Sequence, residues 1–327
     1  MDKKDELIVD AVITWVDGND PAHKAKRELY LEDKKELNSK KARLRYGQVN
    51  EIEFAVKSIL KYAKFVRNIF IVTDNQIPAF LQNTDLAKKN FPKVSIVGHN
   101  IIFEGHEHFL PTFNSRAIES LLYKIPNLSE HFLYFNDDFL LLNETKVTDF
   151  FNGNKPVLRG VWTPFYEDIW HKKARFFLTK MIKKNLVDKS HGFKKGQQTI
   201  ARILGFSNYL RIHHTVSALR KSTFENYYRK QPDLLERNIK HRFRHPETYI
   251  SQSLAIHLEI KNNNYVLKKD YQLAYFQNFS YPLFWTKQKL TRRANNKDYL
   301  FLCLQSLDQS PKEKLLYIKR WLENRYN

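Results

Sequence analysis

Glycine is scarce in this chain. It accounts for nine of 327 residues, and neither GxGxxG nor GxxxxGK[ST] occurs. That argues against a nucleotide site built on a glycine-rich phosphate loop. There is one cysteine, Cys303, which excludes a disulfide within the chain and a cysteine-based zinc site. No run of about 18 apolar residues is present, and the charged start MDKKDELIVD has no apolar signal-peptide core. The expectation is a soluble or peripheral cytoplasmic protein. Acidic residues are outnumbered, 35 Asp and Glu against 55 Lys and Arg, for a net charge of +20. Such a balance implies an acidic partner: nucleic acid, an anionic membrane surface or a phosphorylated substrate. No nucleic-acid recognition signature accompanies the charge. What is abundant is core material, 42% hydrophobic and 14% aromatic residues, enough for one large α/β domain or two smaller ones.

The stretch that organises the chain is His131 to Leu142, HFLYFNDDFLLL. Phe132 to Phe135 reads as a buried strand of a parallel sheet. It stops at Asn136-Asp137-Asp138, and apolar residues resume at once. Two adjacent carboxylates in apolar surroundings need compensation, and ligands of open α/β sheets sit at the carboxyl ends of strands. The pair is either a divalent-cation site or a strand-ending turn with solvated aspartates. Upstream, Leu7 to Val16 is a first strand that ends in the turn Asp17-Gly18-Asn19-Asp20-Pro21. Asp17 is placed to meet a nucleotide or to make an Asx turn before a helix. Residues 22–43 are densely charged, a solvated helix or a flap. Asn50 to Ala63 has the apolar spacing of a helix, with Glu53 and Lys57 set to pair. Phe65 to Thr73 and Val94 to Val97 are further strands, and Arg116 to Lys124 is a helix capped by Asn114 or Ser115. This alternation indicates a parallel sheet with helices on its faces. Between them, His99, His106 and His108 form a histidine-rich stretch without the i,i+4 spacing of a helical zinc site.

The character changes after Gly153. Residues 171–202 hold ten Lys and Arg against one acid, Asp188. Their apolar positions recur at helical spacing, as in a basic amphipathic helix lying on an anionic membrane or a surface helix packed on the domain. Further on, His241-Arg242-Phe243-Arg244-His245-Pro246 is a dense cationic cluster before a predicted Pro-initiated helix, an arrangement suited to phosphate. A solvated basic turn is the plain alternative. Ser310-Pro311-Lys312-Glu313 reads as a capping box opening a final amphipathic helix.

Taken together these blocks resemble the Stealth family of sugar-phosphate transferases. DAVITWVDGNDP from Asp10 resembles its first block. RYGQVNEIEFAVKSILKYAKFVRNIFIVTDNQIPAFL from Arg45, continuing through LPTFNSRAIES to LYFNDDFLL, resembles the long second. IHHTVSALRKS with HRFRHPETY resembles the third, and DYLFLCLQSLDQS the short fourth. Asp17, Arg45, Asn50, Glu51, Asn114, Ser115, Asp137, Asp138, His214 and Arg244 fall on motif positions. The chain departs from the pattern in three places: Gln48 where Asp is common, Val216 where proline is common, and Gln305-Ser306 in place of a frequent Asn-Asp pair.

The resemblance implies a GT-A-like fold, a mostly parallel sheet flanked by helices with a basic helical insertion. It implies one catalytic domain over 1–327: a nucleotide-sugar-binding half at 1–153, a basic helical insertion at 154–210, and a phosphate- and acceptor-binding half at 211–327. The implied reaction is attack of a glycan hydroxyl on the β-phosphorus of a UDP-sugar, with release of UMP, transfer of a hexose- or N-acetylhexosamine 1-phosphate, and a phosphodiester product in a cell-surface or capsular polysaccharide. Asp137 and Asp138 are the expected ligands of Mg²⁺ or Mn²⁺. Asp17, Asn50, Asn114, Ser115 and Arg242 are expected near the substrate, and Arg45 and Arg244 at the diphosphate. His214 is the expected general base, with Glu51 as the competing base. The expected acceptor is a lipid-diphosphate-linked glycan at the inner face of a bacterial membrane, with no nucleic-acid partner. A glycosyltransferase releasing UDP is the alternative within enzymes, and a basic nucleic-acid-binding protein the alternative outside them.

Overall fold

The computed structural model describes residues 7–39, 46–169, 192–277 and 281–327. Arg45 and most of the expected amphipathic helix, residues 170–191, lie outside these described residues.

The centre is a five-stranded sheet of β1 (Val9–Thr14), β2 (Val66–Thr73), β3 (Val94–Gly98), β4 (His131–Asn136) and β10 (Ser217–Arg220), in the order β10-β4-β1-β2-β3. β1 runs parallel to both β2 and β4, β2 runs parallel to β3, and β10 lies antiparallel to β4. This bears out the expected mostly parallel sheet flanked by helices. Because side chains alternate along a strand, consecutive apolar residues feed two cores. Val12, Phe70, Val72, Phe132 and Tyr134 face one, with Ala117 and Leu121 of the Ser115–Leu121 helix and Leu254 of the Ser251–Lys261 helix. Val9, Ala11, Ile13, Ile69, Ile71, Leu133 and Phe135 face the other, with Ile52, Ala55 and Ile59 of the Glu51–Tyr62 helix. A strand buried on both faces needs a continuous apolar run, and β1, β2 and β4 supply it.

The chain does not stay in this sheet after β4. β5 (Phe139–Leu141) pairs antiparallel with β13 (Phe301–Leu304), which runs parallel to β12 (Leu273–Phe276). A third core lies under this second sheet, where Leu140 and Leu302 meet Ile318, Leu322 and Tyr326 of the final helix, Lys312–Tyr326. Asp137 and Asp138 are therefore the joint between two sheets.

The expected helical insertion at 154–210 is different in its described part. It contains β7 (Lys155–Arg159), β8 (Val161–Pro164), β9 (Asn208–Arg211), a short 3-10 turn at Tyr166–Asp168 and one α-helix, Phe193–Ile203. β7 pairs with β11 (Val266–Lys268), and β8 forms a ribbon with β9. Their short β-branched and aromatic runs suit strands once partners are supplied. Two helix starts also differ. No helix begins at Pro246: the amides of Thr248, Tyr249 and Ile250 are taken by His245 O, Asn238 Oδ1 and Gly196 O, and the helix starts at Ser251. The last helix starts at Lys312 with no side-chain cap, and the Ser310 hydroxyl is without a partner. The Glu53–Lys57 pair forms at 2.8 Å.

Three strand origins are tied by one buried carboxylate. Asp10 is fully buried and accepts from Arg67 Nε (2.9 Å) and Nη2 (2.6 Å), from Asn68 N (3.1 Å) and from Ser129 N (2.7 Å). That links β1, β2 and the approach to β4. Replacing Arg67 by Ala leaves the charge buried with amide donors alone. We expect a loss of about 3 kcal/mol, read from urea unfolding; a loss below experimental error would show that the amides alone satisfy Asp10.

Candidate active site

The order of the central sheet creates a crevice. From β1 the chain moves outward to β2 and β3, then returns to place β4 on the other side of β1, so the carboxyl ends of β1 and β4 flank a switch point. A cavity of about 270 Å³ opens there, floored by Thr14, Trp15, Tyr134, Asn136, Asp137 and Asp138. The strand ends are fixed by hydrogen bonds. Thr14 Oγ1 lies 3.0 Å from Tyr134 Oη, which donates to Asn136 Oδ1 at 2.6 Å.

Five carboxylates line this cavity: Glu51, Glu119, Asp137, Asp138 and Asp308. Glu51 is the first residue of its helix and accepts from Val49 N at 2.6 Å. Burial, with repulsion from Asp138 and Asp308, pushes its carboxyl up to about 7. Burial and then the neighbouring Asp138 and Glu51 push Asp137 well above the usual carboxylate range. Burial raises Asp138 to about 6, although Cys303 Sγ donates to its Oδ2 at 3.7 Å. The Asp138 backbone is pinned by Leu304 N on its carbonyl at 3.2 Å. Among the described residues no ion pair involves Glu51, Asp137 or Asp138. Confined carboxylates without a cationic partner are the environment a divalent cation stabilises, and an all-oxygen donor set suits Mg²⁺ or Mn²⁺. The residues present fit that ion.

The facing wall comes from later chain. His213, His214 and Thr215 precede β10, and Arg244 reaches in from the loop after the Pro232–Ile239 helix. Burial first, then the nearby His213 and Arg244 charges, push the His214 imidazole down to about 4. It is neutral at pH 7 and able to accept a proton. Its ring stacks on Phe193 at 4.3 Å between centroids, and its amide donates to His213 Nδ1 at 2.9 Å. Arg244 Nη2 donates to Ser115 Oγ at 3.0 Å and leaves much of its guanidinium exposed.

Glu51, Ser115, Asp137, Asp138, His214 and Arg244 are thus brought together around one cavity, across almost 200 residues of sequence. Asp17, Asn50, Asn114 and Arg242 lie outside its lining. Asp17 makes the Asx turn: Oδ1 accepts from Asn19 N at 2.8 Å, and its backbone is held on both sides by Gln76 at 2.9 Å. Asn50 turns the chain at φ 66° ahead of Glu51. Asn114 is fully buried, caps the Ser115–Leu121 helix and donates to His241 O at 3.1 Å. Arg242 holds Leu110 O at 3.2 Å and packs over the Tyr30 ring at 4.8 Å. These four do structural work beside the cavity.

Sequence reasoning missed several lining residues. Gln305 and Ser306 stand where the fourth block departs from its pattern, and Asp308, two residues on from Ser306, brings a carboxylate to the same cavity. Glu119, buried and raised by burial, lies within reach of Arg244 and Tyr134. Its only signal was its place in a helix whose cap was recognised. His99, His106 and His108 do not converge: His99 is buried near His23 and Asp74, whereas His106 and His108 flank Phe109.

Comparison with known proteins follows this geometry. Residues 9–35 match Stealth protein CR1, conserved region 1, and residues 45–158 match Stealth protein CR2, conserved region 2. The capsular polysaccharide phosphotransferase fcs1 of Haemophilus influenzae is 34% identical over 253 residues, covering 72% of this chain and 60% of the relative. The capsular polysaccharide phosphotransferase cps1A of Actinobacillus pleuropneumoniae is 41% identical over 148 residues, 45% of this chain and 39% of the relative. The exopolysaccharide phosphotransferase SCO6023 of Streptomyces coelicolor is 31% identical over 82% of this chain and 42% of the relative. The chain spans about a quarter to three-fifths of the length of the curated relatives it matches. Among solved structures, galactosyltransferase LgtC with donor and acceptor sugar analogs aligns over 97% of this chain and 95% of its own, at 11% identity and a TM-score of 0.45.

The raised carboxyls set a pH dependence. A folded-state pKa above the unfolded value gives stability that is present below the unfolded pKa and lost as pH rises through the folded one. For Asp138 and Glu51 that loss runs from about pH 4 to about 6 and 7, and a bound cation reverses it. The melting temperature with Mn²⁺ minus that with EDTA should be near zero at pH 5 and grow toward pH 8. Asp138→Asn should abolish the growth; an equal difference at both pH values, or one that persists in Asp138→Asn, would count against the cation site.

Proposed function

We propose that this member of the Stealth family transfers a sugar 1-phosphate from a UDP-sugar to a hydroxyl of a glycan acceptor, releasing UMP and building a phosphodiester into a capsular or cell-surface polysaccharide. The observation that carries the reading is the cavity at the β1/β4 switch point. There a cluster of unpaired carboxylates faces a neutral histidine and an exposed arginine, in a chain whose relatives are named polysaccharide phosphotransferases.

The acceptor oxygen attacks the β-phosphorus. The bond from that phosphorus to the oxygen bridging the two phosphates breaks, and UMP leaves with the bonding pair. Asp137 and Asp138 would hold Mg²⁺ or Mn²⁺, which would supply charge neutralisation at the diphosphate. The remaining work is positioning and electrostatics, as in phosphoryl transfer generally. His214 accepts the acceptor proton. Its depressed pKa keeps it neutral and ready, and an anionic diphosphate alongside raises its basicity when substrate is bound. Arg244, oriented by Ser115, binds the non-bridging phosphate oxygens as charge develops. Glu51, near its own pKa at pH 7, is the competing base and otherwise supports the cation. Cys303 positions Asp138.

We place the enzyme peripherally on an anionic bilayer. Among the described residues no helix is long and apolar enough to cross a membrane. The Leu283–Ala294 helix carries Phe284 and Trp285, 67% and 60% exposed, beside Lys287, Arg292 and Arg293, the mix of aromatic and cationic residues that suits a headgroup region. Flotation with anionic liposomes at low salt should carry the protein up, and Phe284→Ala with Trp285→Ala should reduce this. Equal flotation by wild type and variant would move the contact elsewhere, and no flotation would remove it.

The function is tested by incubating the protein with Mg²⁺, UDP-hexoses or UDP-N-acetylhexosamines and a glycan acceptor, and identifying the nucleotide released. Acceptor-dependent UMP is expected, lost with EDTA and in Asp138→Asn, and reduced about 10²–10⁴-fold in His214→Ala, the usual worth of a general base. UDP as product would mean attack at the anomeric carbon and an ordinary glycosyltransferase. Near-normal turnover in His214→Ala with none in Glu51→Gln would give the base to Glu51.

A further inference from the structure

A second cluster of metal-ligating side chains lies outside the cavity, on the loop between the Pro232–Ile239 and Ser251–Lys261 helices. One donor atom from each of His241, His245 and Glu247 comes within 4.8 Å of the other two. His241 Nε2 is 3.0 Å and His245 Nδ1 is 3.8 Å from the same carboxylate oxygen, Glu247 Oε2. The imidazoles lie face to face, 3.9 Å between centroids and 15° from parallel. The turn that gathers them is made by the loop itself, with Thr248 N and Oγ1 donating to His245 O at 3.0 and 2.7 Å. We propose that His241, His245 and Glu247 bind one Zn²⁺, and that this ion staples the loop carrying Arg244.

The donor set selects the metal. Two imidazole nitrogens, which are borderline donors, with one carboxylate oxygen make a set that zinc takes in sites of three protein ligands, with water in the fourth position. The set is unlike the all-oxygen carboxylates at Asp137 and Asp138, which suit a harder ion. His245 Nδ1 accepts from Glu247 N at a long 3.3 Å, so that nitrogen is unprotonated, and a metal there would take the place of this hydrogen bond. His241 Nε2 meets Glu247 in a contact where a cation can replace the shared proton. Lys240 Nζ, 3.7 Å from Glu247 Oε2, is the charge already competing there, and it swings away as the ion takes the oxygen.

What the ion would hold is specific. Within four residues the loop sends His241 O to Asn114 Nδ2, takes Phe113 N on Arg242 O at 2.7 Å, stacks Phe243 on Phe113 at 5.1 Å, and delivers Arg244 to Ser115. His241 and His245 bracket this span. Fixing both ends reduces the freedom of Arg244 to leave the cavity. The inference stands on these residues whichever nucleotide the enzyme releases.

The test is metal content after exhaustive chelation and dialysis against Zn²⁺, for the wild-type chain, His241→Ala with His245→Ala, Glu247→Gln, and Asp138→Asn. One retained equivalent is expected in wild type and in Asp138→Asn, lost in the double histidine variant and weakened in Glu247→Gln, with X-ray absorption reporting two imidazole ligands. Amide exchange over residues 241–248 should slow on adding Zn²⁺ in wild type and not in the double variant, a readout independent of turnover. Retention by the histidine variant with loss in Asp138→Asn would put the zinc in the acidic cavity and overturn the site. Absence of a retained equivalent in wild type would leave the cluster as a His–Glu hydrogen-bonded turn and overturn it equally. Glu247→Gln keeps the test open should the double variant fail to fold.

Discussion

Carboxylate crowding at the joint between two sheets is the constraint on which the rest of this molecule depends. Asp137 and Asp138, each half-buried, are held at the mouth of the cavity because β4 on one side and β5 on the other are both buried and belong to different sheets. Glu51 is delivered to the same place by the start of a helix, and Asp308 by the turn after β13. Each group raises the cost of ionising its neighbours, which is why burial and mutual repulsion push Glu51 toward neutrality and Asp137 beyond it. Proteins keep such an arrangement where a cation or a proton transfer uses it.

The opposite wall answers that constraint with polar groups of a different kind. His214 is kept neutral by burial and by the charge of Arg244. Arg244 is kept in place by contacts to a segment more than a hundred residues earlier, at Phe113, Asn114 and Ser115. Arg116 secures the same junction from beneath. It is almost fully buried and donates to Thr248 O at 2.8 Å and Gly192 O at 3.0 Å. Gly196 lies so close that a Cβ there would sit 3.2 Å from the Arg116 guanidinium carbon and 2.9 Å from Ile250. The loop bearing Arg244 is thus held by a buried guanidinium below and, in the proposed zinc site, by a metal above. Substrate-binding groups gain force from being held before substrate arrives.

Much of this was legible in the chain. Periodicity sets strands β1, β2 and β4 and the Glu51–Tyr62 helix, because a residue buried on both faces of a sheet must be apolar and a helix on that sheet must be apolar on one side. The break at Asn136-Asp137-Asp138 marks the site, because charge is rare between buried strands and costly unless used. The resemblance to Stealth proteins holds over the first two regions and brings Glu51, Ser115, Asp137 and Asp138 into one expected site. The sequence misleads where short-range signals compete with long-range partners. Pro246 looks like a helix start, but the following amides bond to Asn238 and Gly196. Residues 155–164 and 208–211 look like part of a helical insertion but become strands once β11 and the β8–β9 ribbon give them partners.

Composition and pattern therefore determined the sheet, its two faces and the position of the acidic joint, because these follow from which residues can leave water. Only the tertiary structure decided which polar residues meet. Asp17, Asn114 and Arg242 are as polar as Arg244 and sit in the same motifs, yet their hydrogen bonds close on the protein itself, whereas those of Arg244 leave it open to the cavity. Whether a side chain's partners are supplied by distant chain or left for a ligand is a property of packing, and no local spacing encodes it. For the same reason the convergence of His241, His245 and Glu247 is visible only once the turn at Thr248 has closed.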